Sequence, residues 1–207
     1  MSFPLAPNIE VHTNFVPLSY RRFPLVATRR MMLRILLPQD AGAFLDVLTE
    51  RAATEAARIN MTPTLDHARS KINARLEHAN GIEVGIFTRN MEKLIGEGGI
   101  CCLEEVHTWP TLDWYFISQY QGRGYEEEFL EKFMSHWKSL QRAEHRLNVF
   151  PASIGLAPGG YLQQPTEERI CAEVSANDHE RHGLLQRLWF IQYAQKDGVT
   201  FWVKTLD

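Results

Sequence analysis

The hydrophobic period of this chain changes repeatedly along its length, and the order of those changes restricts the fold. Some segments repeat apolar residues every three or four positions, as amphipathic helices do, and others alternate with a period of two, as strands do. The predicted order is a strand (29–37), two helices (38–59 and 64–79), three strands (82–88, 94–105 and 112–118), a helix (126–147), a strand (170–176), a short helix (177–189) and a hairpin (190–206). This order predicts an α/β fold with mixed strand directions.

Two proline-rich segments lie outside that pattern. Residues 1–28 lack a period, so we expect an extended N-terminal arm before one domain that spans 29–207. A chain of 207 residues suits a single core. Residues 149–169 hold three prolines and three glycines, which predicts a long loop inserted in the domain. Such a loop is either a lid over an acceptor site or a disordered insertion.

Composition and charge exclude several classes of partner. The formal net charge is −3, so the chain has no electrostatic footprint for nucleic acid. No apolar run reaches the length of a membrane span, and the N-terminus lacks the pattern of a secretory signal. The chain has three cysteines, an odd number that predicts reduced thiols and a cytoplasmic protein.

The stretch SQYQGRGYEEEF, residues 118–129, joins the third predicted strand of the middle group to a helix. Gly122 and Gly124 remove side chains from a turn whose backbone N–H groups lie at the positive end of that helix. A turn of this kind binds anions such as phosphate. The Rossmann and Walker fingerprints do not fit, because the third glycine and the Lys-Ser/Thr pair are missing. Taken alone, the two glycines fit a plain tight turn equally well.

Four segments, taken in order, resemble the GNAT acetyltransferases and in particular their ribosomal-protein-alanine acetyltransferase branch. The glycine stretch QYQGRG matches the family motif Q/R-x-x-G-x-G/A, and the resemblance covers roughly residues 28–204. It implies a GNAT-like α/β fold, with a mixed, mostly antiparallel central sheet flanked by helices and split at one parallel strand pair. The other three segments are RRMMLRILLPQDAGAFLDVL (29–48), GIEVGIFTRNMEKLIGEGGI (81–100) and VSANDHERHGLLQRLWF (174–190).

The resemblance also implies a function. The chain is expected to be an N-acetyltransferase that moves an acetyl group from acetyl-CoA directly to a primary amine, either a small molecule or a protein N-terminus, with a homodimer as a possible assembly. The diphosphate of the co-substrate would lie on the glycine loop, and its pantetheine arm beside the preceding strand. Carried over by position, the cofactor-binding residues are Phe116, Ile117, Ser118, Gln119, Tyr120, Gln121, Gly122, Arg123, Gly124, Tyr125 and, near the thiol, Asn177.

Several positions depart from the family pattern. Glu126 and Glu127 stand where the branch has a small residue and Ser or Thr, and Trp189 stands where it has Gly. Two carboxylates that faced the diphosphate would weaken its binding, whereas outward-facing ones would only be solvated. The short helix has no Tyr, which many enzymes of the family use as a general acid. These departures support an alternative function, a non-catalytic module that binds or senses acyl-CoA.

Glu105 and His107 are the candidate catalytic bases. In this branch an acidic or polar group near the end of the strand can reach the acceptor amine, and a histidine of ordinary pKa titrates near neutrality. A solvated strand end and a loop histidine are the competing interpretations.

No metal site is expected. His179 and His182 share a helix face but have no third ligand, and Cys101 and Cys102 point to opposite faces of a strand. The aromatic residues Trp109, Trp114 and Tyr115 either fill the core or line an acceptor pocket, and the pocket is the more probable place for Trp109 alone.

Overall fold

The elements of the chain follow the changes of period in its sequence. The computed structural model describes residues 8–16, 23–55, 62–77, 81–101, 109–156, 162 and 165–206. The described residues form four helices and ten strands. These are β1 (Ile9–Phe15), β2 (Val26–Ala27), β3 (Met31–Arg34), α1 (Ala41–Thr54), α2 (Leu65–Glu77), β4 (Ile82–Thr88), β5 (Leu94–Cys101), β6 (Thr111–Phe116), α3 (Tyr125–Ser139), β7 (Ala143–Val149), β8 (Arg169–Ser175), α4 (His179–Arg187), β9 (Ile191–Lys196) and β10 (Val199–Thr205).

One compact unit, here called the central unit, comprises Leu18–Ile100 and Trp114–Ser135. Its strands follow the order β2-β3-β4-β5-β6, and β2 to β5 pair antiparallel. The apolar faces of α1 and α2 pack on these strands because the helical period places their apolar residues on one side. The core of the unit includes Met32, Phe44, Val47, Leu48, Ile72, Phe87, Leu94, Tyr115 and Ile117.

The second unit, the terminal unit, comprises Met1–Pro17, Cys101–Asp113 and His136–Asp207. Its sheet has the order β6-β8-β10-β9, and β6 runs parallel to β8, with Thr111 opposite Cys171 and Leu112 opposite Ala172. β10 pairs antiparallel with both β8 and β9, and residues 197–198 form the turn of the closing hairpin. A separate two-stranded sheet pairs β1 with β7. The core of the unit includes Val11, Trp109, Val149, Cys171 and Val203.

The predicted fold class is confirmed. The fold is mixed α/β with a mostly antiparallel sheet, and β6 with β8 is the parallel pair among the described strands. Most predicted elements lie within a few residues of the observed ones. Asp178 caps α4, since its carboxylate accepts the Arg181 N–H at 3.0 Å.

The predicted helix over 126–147 is too long. The helix α3 ends at Ser139, and β7 begins four residues later, at Ala143. Two side chains complete the helix end: the Ser139 hydroxyl donates to the His136 carbonyl at 2.7 Å, and Arg142 donates to the Lys138 carbonyl at 2.7 Å. Leu140, Ala143 and Leu147 lie three and four residues apart, so the apolar residues keep a helical period beyond the end of α3, and this period predicted a longer helix.

The partner of β7 is β1, which lies inside the predicted N-terminal arm. Residues 9–15 do form an extended segment, but it is a paired strand, with Val11 opposite Leu147 and Ile9 opposite Val149. The predicted loop 149–169 lies between β7, which ends at Val149, and β8, which begins at Arg169, and its residues Pro151–Ile154 form a 3-10 turn. The division into an arm and a single domain stays a prediction.

Candidate functional site

The glycine stretch begins where β6 ends. Ile117 remains extended and donates its N–H to the Ile95 carbonyl on β5 at 3.0 Å. A 3-10 turn, Ser118–Tyr120, follows, closed by the Tyr120 N–H on the Ile117 carbonyl at 2.8 Å. Gln121 is extended again. The backbone therefore leaves the sheet, turns once, and arrives at the two glycines that precede α3.

Both glycines adopt a backbone that only glycine takes up readily. The φ angle is +65° at Gly122 and +75° at Gly124, in the left-handed region. The space beside Gly122 is open, because a Cβ built there would meet nothing within 4 Å. At Gly124 the same test finds only Arg30 Nη2, at 3.5 Å. A bulky ligand can therefore approach the backbone of this turn.

The start of α3 leaves backbone donors beyond the glycines. The first helical hydrogen bond runs from the Glu128 N–H to the Gly124 carbonyl at 3.3 Å. The N–H groups at the first positions of a helix have no acceptor inside that helix, and the helix dipole adds positive potential there. This loop of residues 117–125 followed by α3 is the anion-binding arrangement that the sequence predicts.

The three glutamates at the start of α3 do not act alike. The Glu126 carboxylate accepts the Trp114 indole N–H at 3.2 Å. The Glu128 carboxylate accepts the Arg30 backbone N–H at 2.9 Å and its Nε–H at 2.6 Å. Glu127 lines an open groove of about 770 Å³, together with Arg30, Arg123 and Lys132. The carboxylates of Glu126 and Glu128 therefore bind donors of the chain itself.

The backbone next to the loop is largely occupied. The Phe116 carbonyl accepts the Gln121 amide at 2.5 Å, and the Ile117 N–H belongs to the β5 pairing. The Ser118 N–H donates to the Glu50 carboxylate of α1. A pantetheine arm that paired with Phe116 through its carbonyl would have to replace or share the bond from Gln121.

The remaining predicted cofactor residues divide into exposed and packed ones. Ser118, Gln119, Gly122, Arg123 and Gly124 are exposed. The side-chain oxygen of Gln119 accepts a hydrogen bond from Lys93 Nζ at 3.3 Å.

The rings of Tyr120 and Tyr125 pack edge to face, with centroids 5.2 Å apart. The Arg30 guanidinium lies 4.0 Å from the centroid of the Tyr125 ring. The loop therefore has a polar outer surface and an aromatic base.

Other predicted residues lie elsewhere. Asn177 is an exposed residue of the terminal unit, in the turn between β8 and α4. Glu105 and His107 lie outside the described residues, as does Cys102. The assignments of all predicted site residues therefore stay predictions.

The histidine pair and the three candidate aromatic residues have structural roles in the fold. His182 accepts the Trp202 indole N–H on Nδ1 at 3.2 Å, so this nitrogen is already bonded. Within the described residues no group of three His, Cys, Asp or Glu side chains is placed to hold a metal ion. Trp109, expected in a pocket, is fully buried, and its indole donates to the Ser153 hydroxyl at 3.0 Å. Trp114 and Tyr115 are buried as well.

The sequence profile of the acetyltransferase (GNAT) domain family matches residues 30–191 of this chain. The chain belongs to the GNAT acetyltransferase family. The match includes β3 to α4, and with them the whole glycine loop. The predicted family is thereby confirmed.

Relatives and solved structures are consistent with that membership. A Bacillus subtilis protein described as the uncharacterized N-acetyltransferase YoaA is 26% identical over 117 residues, which are 55% of this chain and 66% of that protein, just under two thirds of its length. The microcin self-immunity acetyltransferase MccE, solved with acetyl-CoA and AMP, is 10% identical, with a TM-score of 0.60 over 86% of this chain and 93% of its own. RimL, a ribosomal alpha-N-protein acetyltransferase solved with coenzyme A, is 13% identical, with a TM-score of 0.59 over 89% and 97%. The two structures share the fold of this chain.

Trp189, at the position where the resemblance predicts Gly, has a backbone that glycine adopts most readily. Its φ angle is +64°, in the left-handed region, and its side chain is 79% exposed. A side chain in this region costs roughly 1–2 kcal/mol relative to glycine. The substitution therefore leaves the bend in place and adds strain to it.

Arg30 and Glu50 are among the residues that contact the loop and were not predicted from the sequence. Arg30 bonds the loop and Glu128, and Glu50 accepts the Ser118 N–H. Arg30 lies in the segment that resembles the family's opening, but no spacing rule connects it to a loop almost a hundred residues later. Glu50 is one of several polar residues on α1 and carries no sequence signal.

No helix among the described residues is long and apolar enough to cross a membrane.

Proposed function

We propose that this chain is an N-acetyltransferase that uses acetyl-CoA to acetylate a primary amine. Membership of the acetyltransferase family supports acetyl transfer, and the description of the Bacillus subtilis relative as an N-acetyltransferase supports nitrogen as the acceptor atom. The amine belongs to a small molecule or to a protein N-terminus. A cytoplasmic location, which rests on the odd number of cysteines, and a homodimer, which rests on the resemblance, belong to the same proposal.

The geometry of the glycine loop carries this proposal. Gly122 and Gly124 leave the backbone accessible, and the start of α3 supplies N–H groups and positive potential for the diphosphate. The donor set fits a diphosphate better than a metal or a neutral ligand, because backbone N–H groups donate and have no acceptor atom. The exposed Arg123 adds a positive charge on the loop.

The transfer of the acetyl group needs no reactant other than the amine and acetyl-CoA. The amine nitrogen forms a bond to the acetyl carbon, the carbon–sulfur bond breaks, and the thiolate of CoA leaves with the electron pair. The proton lost by the amine passes to a base and returns to the thiolate. We assign the base role to Glu105 or His107, and removing each in turn should displace the acidic limb of the pH–rate profile only for the true base.

Acetyl-CoA binding measured by titration calorimetry tests the proposal. The wild-type chain should bind with a dissociation constant in the micromolar range, and Gly124→Glu should abolish binding, because it adds a side chain and a negative charge to the turn. Gly198→Ala is the matched control, since Gly198 has a φ of +78° but lies in the β9–β10 turn. Absence of wild-type binding at millimolar acetyl-CoA would overturn the proposal.

The second candidate is the non-catalytic acyl-CoA-binding module. The observation in its favour is the negative charge of three consecutive glutamates at the anion-binding end of α3. A panel of amines separates the two functions, because a module that only binds acetyl-CoA releases no CoA thiol with any acceptor. Release above the rate without amine, detected with a thiol reagent, would exclude the module.

A further inference from the structure

We propose that Arg30 positions the loop of residues 117–125, here called the cofactor loop, by donating hydrogen bonds to two of its carbonyl groups, without contacting the cofactor. This inference rests on the proposed function, because it assigns to Arg30 the orientation of the N–H groups that bind the diphosphate. Arg30 precedes β3, and it lies in the central unit with the loop it contacts.

Arg30 contacts the loop through two of its guanidinium nitrogens. Nη1 donates to the Arg123 carbonyl at 2.9 Å, and Nη2 donates to the Gly124 carbonyl at 2.7 Å. Nε donates to Glu128 of α3 at 2.6 Å, and Cζ lies 4.0 Å from the centroid of the Tyr125 ring. Arginine suits this task, because its planar fork holds several acceptors in a fixed arrangement, which a lysine ammonium cannot do.

The two carbonyl bonds determine where the loop N–H groups point. In a trans peptide the C=O and the following N–H lie in one plane and point in opposite directions. Because the carbonyls of Arg123 and Gly124 point toward Arg30, the N–H groups of Gly124 and Tyr125 point away from it. Arg30 thus directs two donors toward the side of the turn that faces away from its own side chain.

The glycines make this positioning necessary. Glycine has no Cβ to restrict its backbone, so Gly122 and Gly124 allow many orientations of the peptides between them. The bonds from Arg30 select one orientation before a ligand arrives. Glu128 in turn holds Arg30 through its backbone N–H and Nε, so that the guanidinium cannot turn away from the two carbonyls. A loop that is set in advance binds its ligand more tightly, since less ordering remains to be done.

The test compares ligands with and without a diphosphate. Arg30→Met should raise the dissociation constant for acetyl-CoA by about tenfold or more, because the donors no longer converge. Its affinity for S-acetylpantetheine, which lacks the diphosphate, should not change. Arg30→Lys keeps the charge but loses the fork, so its loss should be intermediate. Arg29→Met is the matched control, since Arg29 is the exposed neighbour in sequence, and it should bind acetyl-CoA as the wild type does.

The outcomes separate this inference from the proposed function. If the wild type binds acetyl-CoA and Arg30→Met binds it equally well, Arg30 does not position the loop, and the proposed function stands. If Arg30→Met loses acetyl-CoA and S-acetylpantetheine to the same degree, its role is merely structural and the inference fails. If the wild type itself does not bind acetyl-CoA, both proposals fall. Should Arg30→Met not fold, Arg30→Lys with the same pair of ligands decides between these results.

Discussion

Two sites in the central unit combine a carboxylate with guanidinium groups, yet they differ in burial and in what they hold. Glu97 on β5 is 2% exposed and contacts Arg51 Nη1 at 3.1 Å and Arg75 Nη2 at 2.6 Å. Glu128 on α3 contacts Arg30 Nε at 2.6 Å, and its side chain is 18% exposed. The Glu97 site joins the helices α1 and α2 to β5. The Glu128 site joins α3 to Arg30, which precedes β3 and bonds the cofactor loop.

The nitrogen–oxygen distances at the two sites are similar, so distance alone does not reveal how much an ion pair contributes to stability. Removing one partner from a buried cluster leaves the other charges without compensation in a medium that solvates them poorly. At the partly exposed site of Glu128, water replaces part of the lost interaction, so the main consequence is a change in the geometry of the loop. Glu97 is therefore expected to determine stability, and Glu128 to determine how the loop is set.

The largest expected effect is the loss of stability on neutralising Glu97. Glu97→Gln removes the buried carboxylate that Arg51 and Arg75 share and leaves them the less buried Glu55 and Glu83. It should therefore lower the free energy of unfolding by about 3 kcal/mol, the lower end of the range for breaking a buried ion pair. Urea denaturation measures this change. Asp66→Asn, at an exposed i, i+3 pair with Arg69, is the control and should change nothing measurable. A loss below about 1 kcal/mol in Glu97→Gln would refute the comparison.

The pH dependence of stability should have the same origin. Burial alone would raise the pKa of Glu97, but the charges of Arg75, Lys71 and Arg51 outweigh it and lower the pKa from 4.5 to about 2. Since the folded pKa is depressed, the contribution is complete above pH 4.5 and is lost as the pH falls toward 2. It amounts to about 3 kcal/mol, from a difference of roughly 2.5 pH units.

The measurement is a series of urea titrations between pH 5 and pH 2. Wild-type stability should fall over this range by about 3 kcal/mol more than that of Glu97→Gln, which has no carboxyl group to titrate. Parallel curves for the two proteins would show that other carboxyl groups dominate acid unfolding.

The smallest effect on stability is expected at Glu128. Burial opposes its ionisation, but hydrogen bonds from Thr28 and Arg30 outweigh burial and lower the pKa of this carboxyl. Glu128→Gln should cost about 1 kcal/mol of stability, because the amide still accepts one bond from Arg30. If Arg30 positions the loop, the same change should weaken acetyl-CoA binding severalfold.

Glu131→Gln, one turn further along α3 at an exposed position, is the matched control for both readouts. A stability loss at Glu128 as large as that at Glu97 would erase the distinction between the two sites. Thermal unfolding and calorimetry on the same preparations measure the two quantities together.

Much of the cofactor loop was predictable from consecutive residues. The strand before it, the need for glycine at positions 122 and 124, and the start of a helix at Tyr125 all depend on neighbours within about ten positions. The sequence alone did not reveal which groups the glutamates at the start of α3 would bond. Their partners, Trp114 and Arg30, lie 12 and 98 positions away, and the intervening fold brings them to the helix.

The β1–β7 pair is the opposite case. Residues 1–28 as a whole lack a period and are rich in proline, which predicted an extended arm, although the segment IEVHTNF within them alternates apolar and polar residues as a strand does. AEHRLNV fits a strand and the end of a helix equally well. Neither ambiguity can be resolved locally, because an isolated strand has no stability until a partner satisfies its backbone groups.

The sequence by itself determined the family, the order of the main elements and the glycine turn, because these depend on periodicity and on backbone preferences of adjacent residues. Only the tertiary structure decided that β1 pairs with β7, that Glu97 compensates two arginines, and that Arg30 holds two loop carbonyls. Each of these contacts joins residues far apart in the chain. Their energies depend on burial and on the orientation of groups that only the folded chain brings together.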